Sequence, residues 1–183
     1  MKQPSFISIA LKTTIIHTVT YFIVGLISFL WLDYSAKFAD STVANLMRQT
    51  DHPLVAAGPM FQVLRGFLFG FVFYALREII FPRKRGWLTL WLVLVIVGVL
   101  SAFGPTPGSI EGMIYTVLPA WFHVVGLPEV FIQAGLLAFL TYYWVNHPEK
   151  KWLAWLFGVM FVVVILLSLL GILSALGILP TSA

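Results

Sequence analysis

From Gly58 to Phe81 the chain reads GPMFQVLRGFLFGFVFYALREIIF, a run long enough to cross the hydrocarbon core of a bilayer, for which a helix needs about 20 mostly apolar residues. It nevertheless carries Gln62, Arg65, Arg77 and Glu78. An arginine on a spanning helix costs from about 2.5 to more than about 10 kcal/mol, depending on how far it snorkels or what partner it finds. Arg65 lies about 10 Å from the helix start at 1.5 Å per residue, too deep to be ignored. Gln62 and Arg65 share a face with Gly66 at its edge, and Gly66 and Gly70 have the small-xxx-small spacing that lets another helix approach. A protein-facing Arg65 is the expectation. Arg77 and Glu78, at the far end, read as headgroup anchors.

The same logic holds for the whole chain. With 60% hydrophobic and only 10% charged residues among 183, there is more apolar surface than a soluble domain of this size can bury. The formal charge of +4 belongs to cytoplasmic loops, so the lipid bilayer is the expected partner and nucleic acid is not. Without cysteine there is no disulfide framework, thiolate metal site or cysteine nucleophile. The histidines, at 17, 52, 123 and 147, fall on different segments, so no metal site and no cofactor are expected.

The predicted fold is all-α: one polytopic membrane domain over 1–183 with about five transmembrane helices, near 7–32, 58–81, 87–103, 127–145 and 152–179. Pro59 and Pro128 stand at first-turn positions and Pro82 closes the second span. In the first span Thr13, His17, Thr20, Tyr21, Gly25 and Ser28 recur at three- and four-residue steps and share a face that should meet protein. His17 is expected to be a neutral imidazole bonded to Thr13 or to a neighbouring helix, toward the cytoplasmic half. The polar stretch 33–57 is a loop with one short helix, in which Asp40 or Ser41 caps an apolar edge of Val43, Leu46 and Met47. Asp51, His52 and Pro53 mark a turn. Asn146 and Glu149 have capping-box spacing, with Pro148 near the first position of the last span.

GPTPGSIEG, from Gly104 to Gly112, packs turn formers around Ser109 and Glu111 and is followed by MIYTVLPAWFHVV. Roughly a dozen apolar residues interrupted by Pro119 are too few to span, so 104–126 is predicted as a re-entrant or interfacial half-helix. A phosphate-binding loop would need a lysine and a hydroxyl that are missing. Glu129, in the first turn of the fourth span, suits the helix dipole, and Gln133 lies one turn further in.

Lys2, Lys12, Arg83, Lys84, Arg85, Lys150 and Lys151 fall on one side of this map, and only Lys37 and Arg48 on the other. The amino terminus is therefore expected in the cytoplasm and the carboxyl terminus outside, in the plasma (inner) membrane of a prokaryotic cell. That orientation groups Gln62, Arg65, Glu111, Tyr115, Glu129 and Gln133 at the outer side. Three functions fit the group. The first is an assembly or support subunit whose Arg65 pairs with Glu111 or Glu129, associating with other subunits or with itself through Gly66/Gly70 or Ser168/Gly171/Ala175. The second is a channel or transporter for an ion, proton or small anionic solute, and the third an intramembrane enzyme acting on a lipid-linked substrate.

Overall fold

The computed structural model describes residues 4–179; Lys2 and Ala183, which bear on the orientation, lie outside them. The chain is all-helical, with no strand among the described residues. The long helices are α1 (Phe6–Leu32), α4 (Gly58–Ala75), α9 (Leu127–Asn146) and α10 (Lys151–Ala175), and shorter pieces connect them: α2 (Tyr34–Ala39), α3 (Pro53–Ala56), α5 (Arg77–Ile80), α6 (Gly86–Leu92), α7 (Ile110–Tyr115) and α8 (Ala120–Val125). α8 runs into α9 so closely that Ala120–Asn146 forms one apolar rod, and with it four helices are long and apolar enough to cross a membrane. Their outward faces carry Leu64, Phe71, Trp155 and Val162, where a soluble protein would place charge.

α1 is the central element, packed against α4, α9 and α10. Its closest neighbour is α4. A methyl group added to Gly66 would stand 2.7 Å from the Thr14 Cα, and one on Gly70 2.6 Å from the Ala10 Cα. The two glycines are thus what lets the backbones touch, and this seam is used within the chain. Ser168 and Gly171 of α10 are likewise occupied: the Ser168 hydroxyl donates to the Ala56 carbonyl at 2.7 Å, and Gly171 faces the Ala56 methyl.

Three helix boundaries differ from expectation. The span near 58–81 breaks at Leu76, whose φ and ψ of −92° and 6° leave the helical region. Arg77 accounts for the break: it donates to the Tyr74 carbonyl at 3.0 Å, lies over the Tyr74 ring and pairs with Glu78 at 3.0 Å. The span near 87–103 is α6 followed by a π-helical stretch, Val93–Leu100, and the combined Gly86–Leu100 is shorter than the other apolar helices. At 1.5 Å per residue or less it covers about 20 Å, against about 30 Å of hydrocarbon core. It runs antiparallel to α9, with Trp87 edge-on to Phe139 and the Trp91 indole donating to the Phe131 carbonyl at 3.0 Å. The capping box at Asn146–Glu149 is not used. Asn146 ends α9 and donates to the Phe81 carbonyl at 3.2 Å, and Lys150 precedes α10 without a side-chain cap.

The segment predicted as a single half-helix is two short helices, because Pro119 begins a new one instead of sitting inside the first. Ser109 caps α7, accepting from the Gly112 amide at 2.9 Å. His123 is buried and accepts from the Gly108 amide at 3.2 Å, so it holds this turn.

Candidate functional site

At the end of α1 nearest the 33–57 loop the helices separate around a cavity of about 650 Å³. It is built from the last turns of α1, the loop, the start of α9 and the far part of α10. Asp33 makes the first wall possible. Its backbone is left-handed (φ 48°, ψ 62°), a conformation aspartate tolerates better than most residues. It ends α1 and at once caps α2, accepting from the Ala36 amide at 3.2 Å. The reversal brings Tyr34 back over the start of α9, where its phenol donates to Glu129 Oε2.

Glu129 is the carboxyl group of the wall. On α1 its other oxygen meets Gly25, where a Cβ would stand 3.7 Å from Oε1, and the buried Ser28 hydroxyl one turn on stands at the same carboxylate. Aromatic rings complete this side: Tyr34 stacks on Phe38 at 5.4 Å, and Phe38 meets Phe122 at 6.5 Å. Burial first, and then the carboxylate it donates to, pushes the Tyr34 phenol well above the usual tyrosine range. Tyr34 is therefore a neutral donor at all physiological pH.

One helical turn deeper lies a second polar centre. His17 Nε2 donates to Gln62 Oε1 at 3.1 Å, Gln133 donates to His17 Nδ1 at 3.4 Å, and Gln62 passes its own amide hydrogen to the Gly58 carbonyl at 3.1 Å. With Nδ1 accepting and Nε2 donating, the imidazole is neutral. It ties α1 to α4 and α9 at one level. Tyr21, whose ring lies 6.3 Å from that of His17, links this centre to the cavity it lines.

The residues predicted to cluster thus divide. Gln62 and Gln133 meet, and they meet at His17, which belongs at their level and not in the opposite half. Glu129 lines the cavity. Arg65 joins neither group. It is exposed, its guanidinium lies 5.4 Å from the Phe69 ring centre, and among the described residues the one ion pair is Arg77–Glu78. The expected pairing of Arg65 with Glu111 or Glu129 is absent for a geometric reason. α4 buries Gln62, Gly66, Gly70 and Phe73, and at 100° per residue Arg65 lies about 95° around the helix from the middle of that stripe. Glu111 is half-exposed in the first turn of α7, and Tyr115 is 72% exposed, so neither reaches the buried polar groups.

The residues that sequence reasoning left out are Tyr34 and the aromatic wall. Only the helix stop at Asp33 could have suggested that Tyr34 turns back. Among the described residues no group of three His, Asp or Glu could hold a metal. These features define an all-helical protein with four helices able to cross a membrane and a cavity between them. No protein family, curated protein or solved structure matches the chain, so the residues and their geometry alone carry the functional reading.

Proposed function

We propose that this is a small membrane protein that binds an amphipathic small molecule in the cavity at Glu129. One observation carries the reading: a space of about 650 Å³, in the range of ligand sites, walled mainly by apolar and aromatic side chains with a single oriented carboxylate. The assembly reading is left without the Arg65 ion pair that motivated it, which favours solute binding or passage. Gly86–Leu100 is proposed as a fifth crossing and the cavity as opening on the extracytoplasmic side, on the strength of the basic residues at the Pro82–Gly86 turn and around Lys150. The part of the 104–126 segment that precedes the Ala120–Asn146 rod then lies at the interface beside the cavity rim, where Pro107 lines it.

The test is binding of a fluorescent dodecyl-chain probe to the protein in lipid nanodiscs. Gly25→Phe and Val130→Trp, each placed on the cavity wall, should weaken binding at least about tenfold, or about 1.4 kcal/mol, while both variants unfold as cooperatively as the parent. Unchanged affinity in both would sink the reading.

A further inference from the structure

We propose that the ligand of this cavity presents a cationic ammonium head to Glu129. The inference rests on the cavity being a ligand site and names what the site selects.

The wall contains a carboxylate and no arginine or lysine. Its other titratable groups are Tyr21, Tyr34 and His123, and none is a cation: Tyr34 is a phenol donating to the carboxylate, and His123 accepts from a backbone amide. In the adjoining loop the Lys37 ammonium donates to the Leu32 carbonyl. Arg65 lies over Phe69, one turn past Gln62 on α4. The protein therefore orients the Glu129 carboxyl group with the Tyr34 hydroxyl and lines the same cavity with no cationic side chain. A ligand cation would complete such a carboxylate, since a charge in an apolar surrounding is tolerated when it is paired.

The shape of the surroundings says which cation. Gly25 keeps the space beside Oε1 open, and Tyr21, Phe22, Phe29, Tyr34, Phe38 and Phe122 all line the same cavity. Aromatic side chains lining the same cavity as one carboxylate suit an alkylated or primary ammonium, which can take both the charge and a cation–π attraction. A metal ion would require several oxygen ligands converging on one point, and here there is one carboxylate. An anionic head would face the carboxylate directly. The apolar remainder of the wall, including Val130 and Leu167, accommodates the chain that such a head carries.

The experiment is competition against the same fluorescent probe in nanodiscs of zwitterionic lipid, which do not concentrate cations at their surface. Dodecyltrimethylammonium, dodecanol and dodecyl sulfate are the competitors. The cation should displace the probe at concentrations about tenfold lower than dodecanol and about a hundredfold lower than dodecyl sulfate. Glu129→Gln should bring cation and alcohol to within about twofold of each other by weakening the cation, and unfolding of the variant as cooperative as the parent's shows that it is folded. Glu129→Asp should keep the preference. Equal potency of cation and alcohol on the parent protein, with the cavity-filling variants still losing the probe, overturns the ammonium inference and leaves the ligand site standing. Failure of the probe itself to bind removes both.

Discussion

Tyr34 shows how one backbone angle can set a site's chemistry. Asp33 takes a left-handed conformation, the chain reverses, and a phenol that would otherwise point into solvent meets a carboxylate 95 residues away in sequence. A hydrogen bond to a charged group contributes about 1.5–3 kcal/mol, so Tyr34→Phe should lower stability by about that amount. The pH dependence has a definite sign. The folded phenol titrates above its unfolded value, so its contribution is intact below about pH 10 and is lost only as pH rises beyond it. Absorbance at 295 nm should then give the same phenolate amplitude for the parent and Tyr34→Phe up to about pH 11. Loss of one tyrosine's signal in the variant near pH 10 would place Tyr34 in solvent.

At the scale of helices, what decides the packing is how closely two backbones approach. Gly66 and Gly98 make a controlled comparison, because a Cβ at Gly66 would meet the Thr14 backbone at 2.7 Å whereas one at Gly98 meets nothing within 4 Å. Gly66→Ala should cost about 1–3 kcal/mol by forcing α1 and α4 apart. Gly98→Ala should cost nothing. Reversible unfolding in mixed micelles would measure both, and equal effects would refute the close approach. These helices also show what a sequence reveals. The cores of α1, α9 and α10 are continuous apolar runs with proline or polar flanks, and the Gly66/Gly70 spacing announces a contact, so both were legible. The break at Leu76 was not, since nothing in Ala75–Leu76–Arg77 forbids a helix, and the side-chain bonds of Arg77 cause it. The π stretch was hidden because Val93–Leu100 is apolar on every side and has no periodicity to disturb. The rotation of α4 that exposes Arg65 depends on which face α1 takes, and that is a tertiary fact. The cavity draws on well-separated parts of the chain, so of the polar cluster expected at the outer side only Glu129 is in its wall.

For the whole molecule, the contacts along α9 bear on how often the chain crosses the membrane. Near the end of α9, Tyr142 donates to the Arg83 carbonyl at 2.7 Å and Asn146 to that of Phe81. Near its start, Gly108 stands against Leu127 and bonds His123. The chain from Arg83 to Gly108 therefore runs the length of a helix that itself spans about 30 Å at 1.5 Å per residue. This run beside a helix long enough to cross a membrane is what supports the proposed fifth crossing, with the turns at both ends of the short, π-wound Gly86–Leu100 adding to its reach. With five crossings, a cysteine introduced at Lys84 and one at Phe103 are on opposite faces of the membrane. The chain has no cysteine of its own and Phe103 is fully exposed, so the two positions can be read cleanly with an impermeant thiol reagent in sealed, right-side-out vesicles. Labelling at 103 and not at 84 is the expected result, with 84 reacting only after the vesicles are opened. Labelling of both from outside, or protection of both, would mean that Gly86–Leu100 dips in and returns, which reduces the crossings to four and puts the two ends of the chain on one side.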